Sequence, residues 1–322
     1  MSGTLRTSIC ERTQFAAGSV IADRYVLTSL IGAGGYGEVW YARDASRDWC
    51  SVALKLLRPN SCSAVAQGRF ESEMQALVLL RSHLHIVKLL DHGIHDGQRY
   101  MVMEYLSGGP LARWLNERKK ARRLPALRQV WLWFDQVCQA LGAAHLLVEP
   151  GPIIHRDINP NNIVLAPVPG GECIVKVVDF GVARLGRRQH SFTGEPVGTR
   201  GYMSPEQAAG DCDRIHPSSD VFALGLLLLE MLTLRVASPD GTPFSSMAVQ
   251  DPRRLRAILP TLRPEVPRAL WNVVEKALQP QVFKRHEDAE ELRLAVKLAL
   301  SKTARSSRPL PGVTRTDQGI LR

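Results

Sequence analysis

The sequence predicts an α+β chain of two unequal lobes: a small antiparallel β-sheet lobe plus one helix, then a larger, mainly α-helical lobe. Three observations carry this expectation. Residues 25–57 alternate apolar and polar positions between Gly-rich turns, the period-two pattern of half-buried antiparallel strands. After Ser107-Gly108-Gly109 the pattern gives way to Leu- and Ala-filled segments with helical spacing. The 322 residues are 45% hydrophobic and 22% charged, enough apolar material for a large core and too little charge for a disordered polymer.

Taken in order, residues 1–21 hold no uninterrupted apolar stretch and read as a flexible leader, with no signal peptide expected. Residues 22–106 form the first lobe. After the strands of 25–57 comes a helix from Arg69 to Leu80, with Phe70, Met74, Leu77 and Leu80 on or near one face; Ile86–Leu90 and Tyr100–Tyr105 read as further strands. Residues 107–301 form the second lobe, with helices expected at 128–148, 220–232, 266–278 and 286–300. Its greasiest run, Val221–Leu229, stops at Glu230, short of the roughly 18–20 residues that span a membrane, and reads as a helix buried in a lobe. Residues 302–322 read as a flexible basic tail.

The formal net charge is +10. It is scattered except for two clusters. One is Arg118, Lys119, Lys120, Arg122 and Arg123; the other is the tail, where Lys302, Arg305, Arg308, Arg315 and Arg322 face only Asp317. Both read as solvated surface, with no specific nucleic-acid binding expected. The six cysteines (10, 50, 62, 138, 173, 212) lack C-x-x-C spacing, which argues against zinc and for free thiols in a reducing cytoplasm.

The first chemistry-bearing segment is Ile31-Gly32-Ala33-Gly34-Gly35-Tyr36-Gly37-Glu38-Val39. A G-x-G-x-x-G also opens helices in dinucleotide-binding folds. Here Glu38-Val39-Trp40-Tyr41-Ala42 continues as strand, which favours a hairpin folded over phosphates. Next, Val52-Ala53-Leu54-Lys55 puts a lysine at the close of an apolar strand, where burial is expensive without an anion. Its ammonium suits α- and β-phosphates and needs a positioning carboxylate. Glu73 on the following helix is the first candidate and Glu71 the alternative.

Then comes Ile154-His155-Arg156-Asp157-Ile158-Asn159-Pro160-Asn161-Asn162-Ile163, followed by Val178-Asp179-Phe180-Gly181 and Met203-Ser204-Pro205-Glu206. With these, residues 22–300 resemble the protein kinases, whose catalytic loop reads H-R-D-x-x-x-x-N. Gly198-Thr199 through Tyr202-Met203-Ser204-Pro205-Glu206-Gln207 is most similar to the bacterial Hanks-type (eukaryotic-like) serine/threonine kinases. The resemblance implies a bilobal kinase fold that moves the γ-phosphoryl group of ATP to protein Ser/Thr hydroxyls, with Mg²⁺ as the ion and Mn²⁺ as its substitute.

It also implies roles. Asp157 orients the attacking hydroxyl, Asn162 and Asp179 hold metal, and Lys55 with Glu73 grips phosphate. Ile31, Gly32, Ala33, Gly34, Gly35 and Gly37 cover the nucleotide. Met103, Glu104 and Leu106 stand at the hinge that pairs adenine, and Val39, Ala53 and Val164 sandwich the ring, although plain core packing explains these apolar residues equally well. Leu77, His155 and Phe180 match a stack linking the lobes. Asp220 matches a buried anchor of the catalytic loop, and Glu206 with Arg285 an ion pair of the large lobe.

Arg156 is implied to meet a phosphorylated residue of segment 179–206. Ser191 and Thr193, upstream of Thr199, are the candidates for autophosphorylation, with self-association in trans. Asn159 departs from the family, which usually has lysine there, touching the γ-phosphate and the position of Thr199. Asn159→Lys is therefore expected to hold or raise activity. The competing reading is a pseudokinase scaffold that binds nucleotide and partners without transfer. A tyrosine kinase and a dinucleotide-binding oxidoreductase are weaker alternatives.

Overall fold

The computed structural model describes residues 15–33, 37–57, 64–180, 184–185, 199 and 201–306. The first lobe is a six-stranded antiparallel sheet: β1 (Val20–Ile21), β2 (Tyr25–Ala33), β3 (Gly37–Asp44), β4 (Cys50–Leu57), β5 (Leu89–His95) and β6 (Gln98–Glu104). The spatial order is β1-β2-β3-β4-β6-β5, and α1 (Ala64–Leu79) links β4 to β5. The period-two pattern divides the side chains between two faces. Val52, Leu54 and Leu56 join Ile21, Tyr25, Leu27, Trp40 and Tyr100 on the outer face. Ala53 and Leu57 join the core that runs through α1 into the second lobe. Lys55 lies between them in the alternation and shares their inward direction.

Three expectations for this lobe need correction. Residues 15–21, expected to belong to a flexible leader, are packed on the sheet. Phe15 packs on the outer apolar face and stacks with His95 at 5.6 Å, the Gly18 N–H donates to the Leu27 carbonyl at 2.8 Å, and Ile21 is fully buried. The outer face of the sheet needs a cover, and these residues supply it. The helix begins at Ala64 rather than Arg69. The strand expected at Ile86–Leu90 lies at Leu89–His95, because Ile86 and Val87 are bound elsewhere: Ile86 bridges Val177, and the Val87 N–H donates to the Val177 carbonyl at 3.0 Å.

The second lobe comprises β7 (Gly109–Pro110), α2 (Leu111–Lys120), α3 (Leu127–His145), β8 (Ile153–Ile154), β9 (Ile163–Pro167), β10 (Cys173–Val177), β11 (Arg184–Leu185), α4 (Pro205–Ala208), α5 (Pro217–Thr233), α6 (Phe244–Gln250), α7 (Pro252–Leu262), α8 (Arg268–Ala277) and α9 (Ala289–Ser306). Helix α5 is its axis: every residue except Glu230 is buried, which explains the unbroken apolar run. Helices α3, α8 and α9 pack around it. Helix α9 continues to Ser306, so residues 302–306 are helical rather than tail, and 307–322 fall outside the described residues. Arg118, Lys119 and Lys120 form the last turn of α2, where cations favour the negative helix end. Among the described residues no helix is long and apolar enough to cross a membrane.

The exit from the hinge is held by close packing. A Cβ on Gly108 would stand 1.7 Å from the Leu165 carbonyl oxygen, so the 107–110 segment lies directly against β9. Gly108→Ala must push two backbones apart and is expected to cost about 1–3 kcal/mol. Urea denaturation measures it, and an unchanged midpoint would show that the segment moves aside freely.

Candidate active site

The site lies where strands β3 and β4, helix α1 and the loops after β8 and β10 converge. Val39 pairs with Lys55 across β3 and β4, and Ala53 pairs with Met103 across β4 and β6. Val39, Ala53, Met103 and Leu106 pack on the same inward core; Val164 lies on β9, opposite Pro110 and Lys176. The glycine hairpin is described at Ile31, Gly32, Ala33 and Gly37; Gly34 and Gly35 fall outside the described residues. A Cβ on Gly37 would meet the Leu56 carbonyl oxygen at 2.5 Å, so glycine permits β3 to run close to β4 at this point.

Glu73, not Glu71, reaches the lysine. The Lys55 ammonium donates to Glu73 Oε2 at 2.6 Å and to Asp179 Oδ1 at 3.3 Å. Glu71, two residues earlier on α1, pairs with Arg99 at 2.9 Å near the surface. Burial pushes the Glu73 carboxyl up, the Lys55 ammonium opposes this, and the Asp179 carboxylate adds to the push. Burial acts against the Lys55 charge, but Glu73 and Asp179 outweigh it and hold the ammonium protonated.

The loop after β8 is shaped by backbone as much as by side chains. Arg156 and Asp179 both adopt left-handed backbone, with φ of 67° and 62°, an unfavourable state for residues with a Cβ that recurs at functional sites. Asp220, on the first turn of α5, fixes the first of them. Its Oδ1 accepts the Arg156 N–H at 2.8 Å, and its Oδ2 accepts the His155 N–H at 2.7 Å and His145 Nε2 at 2.9 Å. Burial pushes Asp220 up, and the His145 bond and the other donors more than reverse that, so it stays ionised. The Arg156 carbonyl accepts from Gln207 Nε2 at 2.6 Å, tying the loop to the Ser-Pro-Glu-Gln segment. His155 stacks on Phe180 with centroids 4.6 Å apart, and Leu77 is fully buried in the same core.

Asp157 is the centre of the polar network. Its Oδ1 accepts the Thr199 N–H at 2.7 Å and the Thr199 hydroxyl at 2.8 Å; its Oδ2 accepts from Asn162 Nδ2 at 3.1 Å. The Val178 N–H donates to the Asn162 carbonyl at 3.0 Å, which sets Asp179 beside Asn162. Deeper in the lobe Glu206 and Arg285 form a fully buried bidentate pair at 2.7 and 2.8 Å. Ser191 and Thr193 fall outside the described residues.

Sequence reasoning missed several members of the site. Lys176 is buried on β10 and donates to Glu104 Oε1 at 2.7 Å, joining the second lobe to the hinge. Its signal was a lysine inside an apolar strand, the same that marked Lys55. The roles of His145 and Gln207 leave no such mark. Asn159 is 2% exposed, and both ends of its carboxamide are hydrogen-bonded.

A family model described as the protein kinase domain matches residues 25–300. A probable serine/threonine-protein kinase PknB of Lactococcus lactis is 32% identical over 295 residues, covering 91% of this chain and 44% of its own. The serine/threonine-protein kinase PrkC of Bacillus subtilis is 33% identical over 289 residues, covering 88% of this chain and 41% of its own. The chain thus spans about two-fifths of the length of these curated relatives. Among solved structures, the PknI kinase domain of Mycobacterium tuberculosis is similar in fold, with a TM-score of 0.63 at 24% identity over 88% of this chain and 99% of that one.

Removing the Lys55 cation isolates the Glu73 carboxyl. In Lys55→Met, Glu73 keeps the burial that raises it and loses the ammonium that lowers it. A group whose folded pKa is raised stabilises below its unfolded pKa and loses that contribution as pH rises. Burial already holds the parent Glu73 carboxyl at about 7, so the deficit of Lys55→Met relative to the parent is expected to widen by roughly 1 kcal/mol between pH 7 and pH 8. Urea midpoints at the two pH values check this; a constant deficit would mean that Glu73 is solvated once the lysine is gone.

Proposed function

The chain belongs to the protein kinase domain family, with bacterial Hanks-type serine/threonine kinases as its relatives, and from that premise we propose that it transfers the γ-phosphoryl group of ATP to serine and threonine hydroxyls of proteins. The observation that carries the reading is the Lys55 ammonium held between Glu73 and Asp179 at 2.6 and 3.3 Å. A cation fixed by two acids is arranged to receive a third anion, and a nucleotide phosphate suits it.

In this reading adenine lies between Val39, Ala53 and Val164, with Met103 at the hinge, and bonds the backbone of Glu104 and Leu106. Lys55 holds the phosphates. The acceptor hydroxyl oxygen bonds to the γ-phosphorus as the bond to the β–γ bridging oxygen breaks; ADP leaves, and the hydroxyl proton passes toward Asp157. Little covalent work falls to the protein, so positioning and electrostatics dominate. The donors available for Mg²⁺ or Mn²⁺ fit a hard ion: the carboxylate of Asp179, and the amide oxygen of Asn162, whose nitrogen is committed to Asp157. Such an ion would neutralise charge on the phosphates.

Asp157→Asn tests the reading. With labelled ATP and Mg²⁺, the parent is expected to label a protein acceptor, and the variant to fall by about 10²–10⁴-fold. A pseudokinase scaffold is the second reading, favoured only by Asn159, which brings no cation. It would give ATP-dependent thermal stabilisation and no label.

Activation by autophosphorylation at Ser191 and Thr193 belongs to the same proposal. It is supported by Arg156, the arginine beside the catalytic aspartate, since added phosphate pairs with arginine and orders a loop. The double alanine variant is expected to lose most activity. Full activity in that variant, with no phosphate detected by mass spectrometry, would end the idea.

A further inference from the structure

We propose that Asn159 is a positioning residue that couples Asp157 to Thr199 through a neutral carboxamide, and that the site is built around this amide rather than around a missing lysine. The inference rests on the phosphoryl-transfer reading and names a determinant within that site. Asn159 Nδ2 stands 3.0 Å from Thr199 Oγ1, 3.1 Å from Asp157 Oδ1 and 3.1 Å from the Asp157 carbonyl oxygen. Its Oδ1 accepts the Asn161 N–H at 2.9 Å and so caps the short 3-10 turn Pro160–Asn162. That turn carries Asn162, whose own Nδ2 binds the Asp157 carbonyl at 2.8 Å.

Residue chemistry explains why an amide stands here. The side chain must donate in two directions and accept in a third, and a carboxamide does both. Lysine has donors but no acceptor, so the Asn161 N–H would lose its cap. Aspartate keeps the acceptor but sets a second carboxylate against Asp157. The network also divides the two oxygens of Asp157. Oδ1 is saturated by the Thr199 N–H, the Thr199 hydroxyl and Asn159, whereas Oδ2 receives Asn162 alone from the described residues. The geometry thus leaves Oδ2 as the oxygen to meet the acceptor hydroxyl, and Asn159 acts by holding the carboxylate in that orientation.

The test uses the full chain, casein as phosphoacceptor and saturating ATP with Mg²⁺. Asn159→Ala is expected to lower kcat roughly 10- to 100-fold, as misplacement of a reacting group does, with KM for ATP within twofold. In a Thr199→Val background the same substitution should cost less than threefold, because the Thr199 hydroxyl through which Asn159 couples is already gone. Asn159→Lys should also fall below the parent. A kcat for Asn159→Ala within twofold of the parent, undiminished loss in the Thr199→Val background, or a lysine variant faster than the parent would each overturn the proposal. Hydrogen–deuterium exchange supplies a readout independent of catalysis: the Thr199 amide should exchange about tenfold faster in Asn159→Ala. If the parent itself transfers no phosphoryl group, the functional reading fails, and exchange alone decides the coupling; unchanged exchange refutes it.

Discussion

The carboxylate of Asp220 is the constraint on which the placement of the site depends. It is a buried charge, and a buried charge is tolerated only when its lone pairs are filled. Three donors fill them: two backbone N–H groups of the loop after β8 and His145 from α3. Its seat on the first turn of α5 adds the favourable end of the helix dipole. The linkage extends outward, since His145 Nδ1 accepts the Ala289 N–H at the start of α9 at 3.2 Å. The loop bearing Asp157 is thereby hung from the most deeply buried helix of the lobe, and the left-handed backbone of Arg156 is held by its own N–H. Strain at that residue persists because the anchor over-determines it.

The two lobes are joined by packing with polar ties at its edges. One apolar core runs from Ala53 and Leu57 through Leu77 to Phe180 and on to α5. Along its margin, Lys176 reaches Glu104 at the hinge and the Ile86 carbonyl at 3.3 Å, while Val87 bonds the backbone of Val177. These contacts set how far Lys55, from the first lobe, stands from Asp179, from the second. The 3.3 Å separation of that pair is a product of the interlobe packing, because neither residue is near the other in sequence.

What could be read beforehand follows from the range of each signal. Asp157, Asn162 and Asp179 were legible because short motifs carry them. Lys55 was legible because an ammonium in an apolar strand is costly enough to be conspicuous. The choice between Glu73 and Glu71 was not, because it depends on the rotation of α1 against the sheet, which no local pattern records. β1 escaped notice because two residues cannot display alternation, and Phe15 because its partner His95 lies far along the chain. Ile86 and Val87 looked like strand for a sound reason: they are apolar and buried, but their backbone pairs with Val177 of the other lobe. Asn159 was legible only as a departure. Its meaning lay in three partner residues, Asp157, Asn161 and Thr199, and Thr199 among them is distant in sequence.

That last case bears on what a substituted cation does. A lysine acts through a field that salt screens only over about 10 Å at ordinary ionic strength. It can serve a phosphate without touching the rest of the loop. An amide acts only across a hydrogen bond, and its effect vanishes once the partner moves away. With Asn159 the state of Asp157 is therefore tied to whether Thr199 is docked. Thr199 sits at the head of the Tyr202–Gln207 segment, and Gln207 is itself bonded to the carbonyl of Arg156. The loop and the segment hold each other at two points, Asp157 and Asn159 to Thr199 and Arg156 to Gln207. Exchanging charge for hydrogen bonding at one position makes alignment of the Asp157 carboxylate depend on closure of that double contact.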